Sequence, residues 1–277
     1  MSCIVEAGGG IPRLTWFAGL LLCLAGARPA AAGADPVQAL TGAQHLFYSG
    51  RFEEAAAMAL ATRATEPDAL DSYELRTSAL HFQIKRLLED PAYRGKGVDK
   101  CGPCAPLLDE FFADVTKGVA LARARLAATP GDESAMFLLG KLDLNYVWLQ
   151  LGTLGRKTGW GQYWEARKTL DEVLERHPDN VRARVARAWI DYIVDTKLPR
   201  GTKWLLGGGN KKKGLAIVRE AARMPAERYV QAEAVFALWD MQVRERNPDA
   251  INTARELLKD YPENQELIKF ISRASAR

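Results

Sequence analysis

The sequence predicts an all-α fold, an α-solenoid of about five helix pairs with insertions and a C-terminal capping helix, and three observations predict it. A small residue stands twelve positions before a proline four times: Ala55 and Pro67, Gly118 and Pro130, Ala166 and Pro178, Ala250 and Pro262. An apolar residue lies eight positions before the end of each unit, at Ala59, Ala122, Leu170 and Ala254, and at Val218 in an imperfect fifth copy running from Gly214 to Ala226. Apolar residues recur at helical spacing between these marks. A fixed offset at irregular distances marks a repeated helical hairpin whose second helix has a set length and stops at a proline.

The elements follow in order. The first pair covers 36–49 and 52–63, with Gly50 turning the chain and Phe52 packing where the helices splay. In the second, 70–88 carries the stripe Tyr73, Leu80, Ile84, Leu87 and Leu88; an insertion follows over 89–105, and a helix resumes over 106–128. Pro106 suits its first turn, where an N–H would lack a partner anyway. The third pair starts from Asp132 or Glu133 as cap and runs through Met136, Leu139, Gly140 and Asp143 to an insertion over 152–160. Gly161 and Tyr163 then stand to Pro178 as Gly50 and Phe52 stand to Pro67. The fourth pair covers 180–195 and 211–222 around an insertion over 196–209, with Arg184 and Arg187 at positions that suit bulky apolar residues. The fifth covers 226–244 and 249–259, and a last helix over 263–275 covers the apolar end of the array.

Composition bounds the function. The chain has 277 residues, is 48% hydrophobic and carries a net charge of only +4, so a nucleic acid, which needs a concentrated basic face, is excluded as main partner. Residues 1–34 read as an export signal: Arg13, an apolar run over 14–27 and the small-residue pattern Ala32-Gly33-Ala34 predict cleavage after Ala34 and a periplasmic or secreted, possibly membrane-associated, product over 35–277. Leu22 before Cys23 does not suit a lipoprotein signal.

The insertions hold two motifs. Cys101-Gly102-Pro103-Cys104 at a helix start reads first as a disulfide stapling the insertion. Thiol–disulfide exchange and half a zinc site are the alternatives. The Gly207-Gly208-Gly209-Asn210-Lys211-Lys212-Lys213 run could cradle an anion at a helix N-terminus, but reads better as a glycine hinge before an Asn210 cap. With three histidines and no nucleophile, zinc or dinucleotide signature, the expectation is a protein without catalysis or cofactor. The acidic pairs Glu53-Glu54, Asp71 and Glu74, and Asp171-Glu172 read as solvated helix faces.

Through Gly50, Phe52, Ala55 and Pro67, Leu139, Gly140, Tyr163, Ala166 and Pro178, and Ala250 and Pro262, the chain resembles the tetratricopeptide repeat (TPR) family over nearly all of 36–277. The stretches Pro199 through Gly207-Gly208, Gly214-Leu215, Glu233-Ala234 and Tyr261-Pro262 are similar to exported bacterial repeat proteins of undefined role. The resemblance implies that the first helix of each pair lines a concave groove, with Phe47, Tyr48, Phe82, Phe137, Trp189, Tyr192 and Trp239 facing it and few charges among them. It further implies a scaffold binding a protein or peptide segment. The alternatives are a carrier of small apolar molecules, an accessory component of a binding-protein-dependent transporter, and a thiol–disulfide oxidoreductase using Cys101 and Cys104.

Overall fold

Eleven α-helices run in sequence among the residues that the computed structural model describes, 36–197 and 206–275. They are α1 (Pro36–Tyr48), α2 (Phe52–Ala61), α3 (Leu70–Glu89), α4 (Cys104–Ala128), α5 (Glu133–Val147), α6 (Trp160–Arg176), α7 (Val181–Lys197), α8 (Lys211–Ala221), α9 (Arg228–Arg244), α10 (Ala250–Asp260) and α11 (Gln265–Ser275). The segment 1–34, read as an export signal, and residues 198–205 of the third insertion, Trp204 included, lie outside the described residues.

Local chemistry sets the helix ends. Asp132 caps α5 by accepting from the Ala135 N–H at 2.8 Å, Asn180 precedes α7 and accepts from Ala183 at 2.9 Å, and Asn210 caps α8 by accepting from Lys213 at 2.9 Å. At the other end, Thr129, His177 and Tyr261 leave α4, α6 and α10 with φ between −129° and −140° and ψ between 63° and 84°. Each precedes a proline, whose ring excludes the α conformation from the residue before it. Helix α2 ends differently, in a 3₁₀ turn over Thr62–Ala64 before Pro67.

Most boundaries fall within about two residues of the sequence reading, and the differences around the second insertion alter the layout. Helix α5 runs on through a π turn, Trp148–Thr153, so the second insertion shrinks to 154–159. Gly161 lies inside α6 with no atom within 4 Å of an added Cβ, and the left-handed turn falls to Gly159, at φ +89°. Tyr163 nevertheless buries as Phe52 does, at 5% and 6% exposure.

Every helix packs on the next. The small residues make close approach possible: an added Cβ on Gly118 would sit 2.8 Å from Leu142 Cδ1, and one on Gly214 2.8 Å from the Ala188 carbonyl oxygen. Ala55, Ala166 and Ala250 are fully or almost fully buried. Arg187, at a position expected to want an apolar side chain, instead bonds Asp171 at 2.6 Å and lies 2.8 Å from Asp191.

The first helices of the pairs also touch in succession, α1 on α3, α3 on α5, α5 on α7 and α7 on α9. Helix α1 then meets α9, so this row of five closes on itself. Tyr48 at the end of α1 packs on Phe236 and Tyr261, with centroids 5.2 and 5.7 Å away. Asn264, ahead of α11, donates from Nδ2 to the Tyr48 carbonyl at 2.7 Å while its Oδ1 accepts from the Leu267 N–H at 3.2 Å. Replacing Asn264 with alanine removes a cap and orphans a carbonyl, so urea unfolding should show a loss of about 2 kcal/mol. Asn264→Asp keeps the cap but sets a carboxylate oxygen against the Tyr48 carbonyl, so it too should lose stability at neutral pH.

Candidate functional site

The row surrounds a cavity of about 550 Å³ that stays partly open to solvent. Each of α3, α5, α7 and α9 presents one stripe to it at spacings of three, four and seven: Glu74, Ser78, His81 and Phe82; Lys141, Asn145 and, just past α5, Trp148; Arg182, Ala186 and Trp189; Glu233, Phe236 and Asp240. Two turns of helix separate the first and last member of each stripe. A charged level formed by Glu74, Lys141, Arg182 and Glu233 therefore lies two turns from a level that carries His81, Trp148, Trp189 and Asp240.

The four charged side chains come together although they belong to four helices. Lys141 Nζ lies 2.8 Å from Glu233 Oε1 and 3.6 Å from Glu74 Oε1. Arg182 bonds Glu74 Oε2 at 3.0 Å through Nη2 and Glu233 Oε2 at 2.7 Å through Nε. All four are at least three-quarters buried, and the Arg182 guanidinium sits 4.7 Å over the Phe137 ring. Asn145 donates to the Thr77 and Ser78 hydroxyls at 3.0 and 3.1 Å, and Ser78 in turn to Glu74 at 3.1 Å. Burial alone would raise the Glu233 pKa, but Lys141 and Arg182 outweigh it and hold the group at about 2. Burial also works against the charge of Arg182, and Glu233 and Glu74 more than restore it.

Two neighbours respond to this setting. The Tyr48 hydroxyl is pushed well up, first by burial and then by Glu233. His81 is lowered to about 4 by burial and by Lys85, so it is neutral at pH 7; it shares a 2.7 Å hydrogen bond with the Thr153 hydroxyl.

Five of the seven expected groove residues, Phe47, Tyr48, Phe82, Trp189 and Trp239, line this cavity. Phe137 lies beneath Arg182, 5% exposed, and Tyr192 turns toward α8 and α9, donating to Glu245 at 2.8 Å. The expectation of few charges is corrected: the wall carries the ion-pair quartet and, toward its other end, Lys85, Glu89, Asp240, Arg244 and Glu266. Glu74, expected on a solvated face, has a side chain only 8% exposed, whereas its neighbour Asp71 is 45% exposed. Asp71 and Glu74 are alike in sequence, but Glu74 lies inside the ring of first helices while Asp71 meets Arg182 from its rim, at 3.6 Å.

Both insertion motifs are tied down from within the fold. Cys101 and Cys104 form a disulfide, and at 2% and 0% exposure neither sulfur is open to a partner thiolate. At α8, the Lys211 and Lys213 amides are taken by Asp195 and Asn210, and Lys211 Nζ binds Glu245 at 2.6 Å, so the start of the helix is capped from within. Among the described residues no group of three or more His, Cys, Asp or Glu side chains is placed to hold a metal ion.

A second titratable pair lies between α5 and α6. Burial, and then a hydrogen bond to Glu165, raise Asp143 to about 8, so it stays protonated near neutrality, while Arg123 binds the Glu165 carboxylate. A folded-state pKa above the ordinary carboxylate value of about 3.9 gives stability that is full below that value and lost as pH rises toward 8. Asp143→Asn keeps a donor for Glu165 and cannot ionise. Its urea-unfolding free energy should exceed that of the native protein by about 1–3 kcal/mol at pH 8, with little difference at pH 4.

No protein-family model matches the chain, and no curated protein sequence matches it.

Proposed function

We propose that this is a non-catalytic binding protein whose ligand occupies the cavity surrounded by α1, α3, α5, α7 and α9. One observation carries the reading: the row of first helices closes, leaving about 550 Å³ with a charged level and an aromatic level. That volume falls within the few hundred to about 1,000 Å³ of sites for compact organic molecules. The occupant is a small amphipathic molecule, its apolar body among Phe82, Trp148, Trp189 and Phe236 and its polar end toward Lys141 and Arg182. The eleven helices fit five TPR-like pairs and a capping helix, an architecture that works by display and holding. The leader-like segment 1–34 puts the protein in the periplasm or outside the cell, with the disulfide suited to that compartment.

A second reading, a scaffold for a protein segment, draws support from the helix-pair architecture itself. Here the cavity between the helices would take a short stretch of the partner, such as a chain end or one apolar side chain with its neighbours. The same cavity within an accessory component of a transporter would pass or hold the small molecule.

The test is direct. The protein, recovered natively from the compartment to which it is exported, is denatured and extracted, and the extract is analysed by mass spectrometry. A small amphipathic molecule retained near one per chain by the native protein, and lost in Ala186→Trp, which fills the cavity, is the expected result. Retention of a peptide instead supports the second reading. An empty native protein that also captures no member of a peptide library contradicts both.

A further inference from the structure

Helix α6 carries two exposed tryptophans one turn apart, Trp160 at 39% and Trp164 at 44%. They belong to neither the cavity nor any apolar cluster of the core. Exposed cations frame them: Arg156 and Lys157 in the loop before the helix and Lys168 one turn beyond Trp164. Among the described residues none of these three makes a salt bridge. Of the carboxylates of α6, Glu165 is matched by Arg123, Asp171 by Arg187 and Glu172 by Arg176, while Glu175, two turns beyond Lys168, is exposed. The result is a short amphipathic surface, with indole rings in the middle, two cations ahead of them in Arg156 and Lys157, and one behind them in Lys168.

We propose that this face of α6, with the loop ahead of it, docks on an anionic lipid surface. Indole rings seat at the boundary between headgroups and acyl chains, being apolar over most of their area with one N–H for the polar side. Lysine and arginine near such a surface are drawn by the negative potential of its headgroups, and their long stems let the charge reach outward. A protein partner of comparable chemistry would need its own acidic, apolar counterface. The lipid surface needs only the two features seen here, exposed indoles and unpaired cations. The tryptophans insert, the cations orient, and the protein rests on the membrane without crossing it; among the described residues no helix is long and apolar enough to span one. This proposal is independent of what the cavity holds.

Vesicle flotation tests it, with phosphatidylcholine alone and with phosphatidylglycerol added, on the full chain and in parallel on residues 35–277, which make one compact unit with all the apolar clusters. Residues 35–277 should float with the anionic vesicles, sink with the neutral ones, and detach as salt is raised. Arg156→Gln with Lys157→Gln should weaken binding about fivefold per cation removed. Trp160→Ser with Trp164→Ser should weaken it at least as much. Equal behaviour with both vesicle types, or binding that survives both double variants, overturns the proposal. So does a protein that ignores vesicles but sediments as a dimer until the tryptophans are replaced, since the occupant is then a second copy of the chain.

Discussion

Replacing Arg182 with leucine is expected to lower the unfolding free energy by about 3–5 kcal/mol, because it leaves buried carboxylates facing a single remaining ammonium. In the native protein Arg182 reaches both Glu74 and Glu233, and its guanidinium lies on Phe137. Leucine retains apolar contact and removes every bond to the acids. The cost comes from breaking a matched set, so removing an opposite charge as well should restore much of it. Arg182→Leu combined with Glu233→Leu leaves Glu74 paired with Lys141 and should unfold in urea well above the single variant. The pH dependence gives a second readout. Glu233 has a folded-state pKa of about 2, below its ordinary value, so its contribution is full above that ordinary value and disappears as pH falls toward 2. Without Arg182 that loss should begin at higher pH.

Gly214→Val is the other large effect, about 3 kcal/mol by the same measurement. A Cβ at position 214 would lie 2.8 Å from the Ala188 carbonyl oxygen, which is backbone and can yield only if α7 and α8 separate. Valine adds two γ-carbons with little freedom to turn away. Gly131 supplies the control: nothing lies within 4 Å of an added Cβ there, so alanine at that site should change stability far less. If Gly214→Val were as mild, the small residues of the repeat would not be what sets helix spacing.

Much of the helix plan was legible because its signals are local. A proline pushes the preceding residue out of the helix whatever surrounds it, and asparagine or aspartate caps act within one turn. Thus α4, α6 and α10 end where Pro130, Pro178 and Pro262 require. The reading went astray where tertiary contact decides. Gly161 and Gly159 are equally glycines two residues apart, and only the packing of Tyr146 and Val147 against the turn at Gly159 selects one. Gly152 reads as the start of an insertion, yet it stays coiled within the turn Trp148–Thr153, with His81 of α3 bonded to Thr153 at its end.

The site was legible by half. Aromatic residues at helical spacing announce an inward face, and five of seven did line it. The charged quartet was not legible, because Glu74, Lys141, Arg182 and Glu233 are separated by dozens of residues and each, alone, resembles an ordinary surface charge on an amphipathic helix. One signal was available: Glu74, Lys141 and Arg182 each stand seven positions before His81, Trp148 and Trp189, so the same helix stripe that carries the inward ring carries the charge.

The binding reading rests on closure of the row, and closure can be measured at its seam. Arg51, at the turn between α1 and α2, lies 3.6 Å from Glu263, just before α11. With Arg51→Cys and Glu263→Cys in one chain, a short bis-maleimide should bridge the two positions within the monomer, and peptide mass analysis should recover the joined peptides in high yield under native conditions and not in urea. An unbridged native protein, with both cysteines separately modified, would mean an open array and no cavity surrounded by the row.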